Sequence, residues 1–182
     1  MFGVANSVLF LSSLCSIQNL YLKRYDGDSQ SPSKSFELED KFVNNNGFIV
    51  ICASNEGGIC QYTDDVADLD GGNTITIEAC SSNADGTDCE IIDVFGVPGD
   101  KSVDAETLQD FTDGRAYRLE GPTHDTPKGT WNRDDWVILK PLDGEDTTPG
   151  DRDDFNLIIT EVTDTDNFIE LHSTNVHNNY PF

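Results

Sequence analysis

Apolar residues in this chain recur at every second position in short runs, and no stretch carries the longer period of an amphipathic helix. In residues 19–25 (NLYLKRY), Leu20 and Leu22 fall on one face and Tyr21 and Lys23 on the other, the pattern of a half-buried strand. Residues 47–54 (GFIVICAS) make a continuous, β-branched apolar run introduced by Asn-Gly, which suits a strand buried on both faces. Residues 73–80 (NTITIEAC) and 89–96 (CEIIDVFG) alternate again, and the loop between them holds Asp85-Gly86, so a hairpin is predicted. Further short strands are expected at 116–119, 136–139, 157–161 and 168–172, and the one helical candidate is a turn over 104–109. Several short strands separated by turn signals predict an all-β, two-sheet sandwich.

The order of these strands is unusual. Residues 156–175 (NLIITEVTDTDNFIELHSTN) read like the beginning of a domain yet stand last, after a Pro, Gly and Asp-rich run. The chain divides accordingly into an apolar N-terminal segment (1–16), a body (17–142), an acidic linker (143–154) and the late strands (155–182). At 182 residues it has the size of one domain with one core. The late strands are expected to place Ile158, Ile169 and Leu171 in the core and to pair beside the body. Pairing within the chain is preferred to strand exchange with a neighbouring copy, because a tethered partner has the higher effective concentration. Without these strands the sheet would present an open edge, a template for another chain.

Charge removes several functional classes. The sequence has 34 Asp and Glu against 11 Lys and Arg, a net charge of -23 spread along its length. Such a surface repels phosphate backbones and anionic lipids, so binding of nucleic acid through a basic groove is excluded. Divalent cations or a salty medium fit it better. The apolar run 8–14 resembles the core of a signal peptide but has no basic residue ahead of it, and no later run reaches the roughly 20 residues of a bilayer span.

Five cysteines stand at positions 15, 52, 60, 80 and 89. The last four allow three connectivities. Cys52 and Cys60 flank ASNEGGI, and Cys80 and Cys89 flank SSNADGTD, so each pair can close locally; disulfides Cys52–Cys60 and Cys80–Cys89 are the hypothesis carried forward. No CxxC occurs, which argues against a zinc knuckle or a thioredoxin-like site.

The densest carboxylate cluster is DDVADLDGGN at 64–73. Asp64, Asp65, Asp68 and Asp70, next to glycines that permit tight turns, form a candidate calcium loop, since calcium takes oxygen ligands from carboxylates and carbonyls. The spacing lacks the closing Glu of an EF-hand, and a solvated acidic loop is the plainer reading. DTDN (164–167) reads as a turn. His124, His172 and His177 stand outside any GxSxG, HExxH or CxxC context and read as ordinary loop histidines, so no catalytic residue is assigned. Glu161 and Glu170 flank the 164–167 turn, and strand alternation gives them to solvent. Trp131 and Trp136 form a candidate sugar-stacking pair, although large aromatics more often belong to the core.

The series LYLKRYDG, GFIVICAS, the hairpin ending in EIIDVFG, and DGRAYRLEGP followed by GTWNRDDWVIL resembles the lamin-tail domain family. The resemblance implies an immunoglobulin-like β-sandwich with Trp136 in its core. In the secreted branch of that family a strand like LIITEV followed by FIEL opens the domain. Here they stand at 157–162 and 168–171, so the resemblance covers most of 19–171 in rotated order, as a permuted domain or a piece of a tandem array would. No coiled-coil rod and no basic localisation run accompany it, which separates the chain from nuclear lamins. The implied role is a non-catalytic extracellular interaction, adhesion or structural module with a protein or cell-surface partner. The alternative is an accessory domain of a secreted nuclease or phosphatase whose catalytic part lies outside this chain.

Overall fold

The computed structural model describes residues 19–38, 41, 48–54, 60–81, 88–100, 108–119, 121, 123–124, 126–139, 158–163 and 168–172. Ten strands lie among them: β1 (Leu20–Tyr25), β2 (Lys34–Glu37), β3 (Phe48–Cys52), β4 (Tyr62–Thr63), β5 (Thr74–Cys80), β6 (Cys89–Phe95), β7 (Arg115–Arg118), β8 (Trp136–Leu139), β9 (Ile158–Thr163) and β10 (Phe168–His172). They form a four-stranded sheet in the order β2-β1-β5-β6 and a six-stranded sheet in the order β4-β3-β10-β9-β7-β8. All pairings are antiparallel except the short β3–β4 contact. The fold is therefore an all-β sandwich. β2 and β4 were not expected, because each is short and carries few apolar residues. Short 3-10 turns at Asp65–Ala67 and Arg133–Asp135 were likewise unforeseen.

One core fills the space between the sheets. Leu22, Ile75, Ile77 and Phe95 from the first sheet meet Ile49, Ile51, Ile159, Val162, Ile169, Leu171 and Trp136 from the second. Phe95 is the aromatic centre, with edge-on contacts to Phe111 at 5.3 Å, Trp131 at 5.1 Å and Trp136 at 4.9 Å between ring centroids. The continuous apolar run behaves as anticipated, since every residue of β3 is buried. The β5–β6 hairpin forms as expected, and its register sets Cys80 directly opposite Cys89.

The late strands depart from expectation in an informative way. They do not lie beside the body; they are inserted into it, β10 pairing with β3 and β9 with β7. A bulge at Glu170/Leu171 shifts the register, so that Ile159 faces the core opposite Leu171. Ile169 and Leu171 are buried as anticipated, while the side chain of Ile158 lies outside those described. Also outside the described residues are the segments 1–16 and 143–154, the turns at 85–86 and 164–167, and most of the helical candidate 104–109. Its last residue, Gln109, is not helical: it is buried, with Oε1 accepting from the Val97 N–H at 2.6 Å and Nε2 donating to Thr74 Oγ1 at 3.1 Å.

Two surface assignments are corrected. Lys23 was placed on the solvent face of β1, yet Lys23 and Tyr25 are both buried with Glu78 and Thr76 of β5. Glu170 was also given to solvent and is buried, its carboxylate accepting from Thr160 Oγ1 at 2.7 Å. Polarity alone had assigned these faces to water, but a polar side chain stays inside when a neighbouring strand supplies its partner.

Candidate functional site

The acidic loop 64–70 does not gather its carboxylates. Asp64 Oδ1 accepts from the Val66 N–H at 2.9 Å and caps the 3-10 turn, and Asp65 Oδ2 meets Lys34 Nζ at 3.0 Å on the surface. Asp70 Oδ1 accepts from the Gly72 N–H at 2.9 Å. The carbonyl oxygens of Asp65 and Asp68, which an ion would also need, both accept from Arg24 Nη1, the first at 2.7 Å. Arg24 in turn pairs with Asp26, which accepts from Asn73 Nδ2 at 2.9 Å and so ties the loop to β1. Gly71 is needed for close approach: its φ is +76°, and a Cβ there would lie 2.2 Å from the backbone of Thr112. Among the described residues, none of Asp64, Asp65, Asp68 and Asp70 belongs to a group of three converging metal-donor atoms.

The cysteines pair locally as hypothesised, Cys52 with Cys60 and Cys80 with Cys89. The first disulfide ties the short parallel return of β4 to β3. The second closes the end of the β5–β6 ladder.

Beside that second disulfide lies a polar cluster that sequence reading missed. Glu78, 3 % exposed, accepts from Lys23 Nζ at 2.8 Å, from the Tyr25 hydroxyl at 2.5 Å and from Thr76 Oγ1 at 2.8 Å. Lys23 Nζ also approaches Cys89 Sγ at 3.2 Å. Burial pushes the Glu78 carboxyl up, but the hydrogen bonds from Lys23, Tyr25 and Thr76 outweigh it and hold the group below its ordinary value. Burial and the adjacent Glu78 carboxylate push the Tyr25 hydroxyl well above its usual range. The signal for this cluster was present in the alternation: Tyr21, Lys23 and Tyr25 share one face of β1, as Thr74, Thr76 and Glu78 share one face of β5.

A second network crosses the sandwich. Asp93 on β6, fully buried, accepts from Arg118 Nη2 at 2.7 and 2.8 Å, from the Lys128 N–H at 2.9 Å and from the Ile159 N–H at 2.9 Å. Removal from water pushes its carboxyl up, and the Arg118 guanidinium with the two backbone N–H groups opposes that shift. The guanidinium also stacks over Trp136, 4.7 Å from the ring centroid. Asp135 anchors a third group, meeting Lys128 Nζ at 2.6 Å and His124 Nδ1 at 2.8 Å. His124 lies in a turn, as expected of a loop histidine, and is partnered there by Asp135.

Trp131 and Trp136 come within 6.2 Å of each other, but Trp136 is buried and both rings pack on Phe95, so the pair does not present a stacking platform. Glu161 and Glu170 are register partners across β9 and β10. Among the described residues, no helix is long and apolar enough to cross a membrane. No family model, curated protein or solved structure matches this chain.

Proposed function

We propose that the chain is a non-catalytic extracellular interaction or structural module of lamin-tail type, with an immunoglobulin-like sandwich in rotated strand order. The observation that carries this reading is how the buried and half-buried ionisable groups are used. Asp93, Glu78, Asp135, Lys23, Arg118 and His124 are bound to one another or to backbone, holding strands together. Groups saturated in this way are poor candidates for acid–base work, which needs a proton acceptor within reach of a substrate. The two disulfides support an oxidising compartment. The insertion of β9 and β10 into the body supports the rotated order.

The same pairing sets the chemistry of the partner. Lys23, Arg24, Lys34, Arg118 and Lys128 are each engaged with a carboxylate of this chain. With a net charge of -23, the outward field is anionic, which favours a basic protein or cell-surface partner and a salt-sensitive association. Binding of the purified full chain to intact cells, measured at low and high salt and before and after surface proteolysis, tests the reading. Binding lost on proteolysis and weakened by salt is expected, with no turnover of phosphomonoesters or phosphodiesters. Turnover that copurifies with the chain, or the lack of any protease-sensitive binding, overturns it.

A further inference from the structure

We propose that reduction of the Cys80–Cys89 disulfide turns Glu78, Cys80 and Cys89 into a binding site for a divalent ion of the zinc class. Residues two apart on a strand share a face, so Glu78 and Cys80 point the same way, and the ladder sets Cys89 directly across from Cys80. The carboxylate oxygen and the two sulfurs lie within 4.8 Å of one another. A tetrahedral ion with bonds of about 2.3 Å to sulfur and about 2.0–2.2 Å to oxygen needs donors a little under 4 Å apart, which side-chain rotation can supply once the sulfurs are no longer bonded. Two thiolates, a carboxylate and one water complete a four-coordinate site of borderline-soft character.

The place is filled by an internal cation that the ion has to displace. Lys23 Nζ sits 2.8 Å from Glu78 Oε2 and 3.2 Å from Cys89 Sγ, so a positive charge already rests against two of the three donors. An incoming ion competes with that ammonium. The Cys52–Cys60 disulfide offers no comparable set: Val50 packs beside it, and among the described residues no third donor joins it.

The chemistry balances with a dithiol as reductant. The dithiol gives two electrons and two protons to the Cys80–Cys89 bond and becomes a cyclic disulfide, leaving two thiols. Binding of the ion then releases the two thiol protons. Disulfide and metal are therefore alternative states of the same cysteine pair.

The test uses the full chain, oxidised and reduced, with Zn2+ in alkylation protection and Co2+ as an optical probe. Mass mapping of cysteines blocked by a thiol alkylator should show Cys80 and Cys89 protected by Zn2+ in the reduced chain, while the labelling of Cys15, Cys52 and Cys60 does not change with Zn2+. Co2+ should give thiolate charge-transfer absorption in the reduced chain only. Glu78→Gln should weaken Co2+ binding by more than the roughly 10- to 100-fold typical of losing a merely supporting contact. Lys23→Met should move the midpoint to lower Co2+ concentration by removing the competing ammonium. If reduction abolishes the β signature in circular dichroism, Zn2+ should restore it, because metal binding is then coupled to folding. Protection confined to Cys52 and Cys60, equal alkylation with and without Zn2+, or a reduced unfolded chain that Zn2+ does not restore, overturns the proposal.

Discussion

Arg118 and Asp93 take over where the β7–β9 ladder stops. That pairing runs from Arg115↔Thr163 to Tyr117↔Glu161, and beyond it the backbone of Ile159 is served by side chains: its N–H donates to Asp93 Oδ2, and its carbonyl accepts from Arg118 Nε at 3.2 Å. Because Asp93 belongs to the opposite sheet, one ion pair both completes the ladder and joins the two layers. Buried backbone groups have to be paired, and here a guanidinium and a carboxylate replace the missing strand partner.

Asp93→Ala should therefore destabilise the fold by about 3–5 kcal/mol, because it leaves the Arg118 charge buried without its partner and orphans the Ile159 N–H. Urea denaturation of the single and double variants with Arg118→Met checks this. The two changes should be non-additive by about 0.5–3 kcal/mol, as expected for residues in one network. Additive effects would mean that the two groups stabilise the sandwich independently.

The acid limb of stability should depend on Asp135. Burial raises its carboxyl, but the hydrogen bonds from Lys128 and His124 and their charges more than offset this, so the folded value lies below the ordinary 3.8. A depressed carboxylate contributes stability that is fully present above the unfolded value and is lost as pH falls through the folded one. Thermal melts in acid should thus drop as pH falls below about 4. In Lys128→Met the drop attributable to Asp135 should be smaller, with a lower plateau at neutral pH. An acid limb unchanged in that variant would remove Lys128 as the cause.

The alternation of apolar residues made most strands legible, down to the burial of Ile169 and Leu171, because period two and sandwich cores share one physical origin. The same rule misjudged Lys23 and Glu170, since it assigns a face by polarity and cannot see the partner that makes burial tolerable. Lys23 meets Glu78 from 55 residues away and Arg118 meets Asp93 from 25, and no local pattern encodes those meetings. The cysteine pairs were readable because their loops are short, with separations of 8 and 9. The central position of β9 and β10 was not, because strand order follows from how the whole sheet closes.

That central position makes a strong prediction for truncation after Gly150. The shortened chain loses Ile159, Val162, Ile169 and Leu171 from the core, each contributing about 1.5–3 kcal/mol. Their sum is comparable with the total stability of a typical domain, about 5–15 kcal/mol. It also splits the six-stranded sheet and leaves β3 and β7, still paired with β4 and β8, each with an open edge. Circular dichroism and gel filtration should report an unfolded or aggregated product. A monomer that melts like the full chain would show that β9 and β10 are dispensable to the sandwich.

The acidic loop supplies the last test. Its carbonyl oxygens at Asp65 and Asp68 are held by Arg24, and its carboxylates are turned to capping, to Lys34 and to an Asx turn. Calcium entry would have to displace a partly buried guanidinium and recruit carboxylates that now point apart. The melting temperature should therefore be the same in calcium and in chelator. Arg24→Met should destabilise the loop by about 1 kcal/mol, because the part-buried bonds from the guanidinium to the Asp65 and Asp68 carbonyls are lost while the Asp65 carbonyl keeps the Asp68 N–H. A calcium-dependent rise in melting temperature that disappears in the double variant Asp68→Asn, Asp70→Asn would instead establish the loop as a calcium site, because only a ligand bound to the folded state shifts the melt with its concentration.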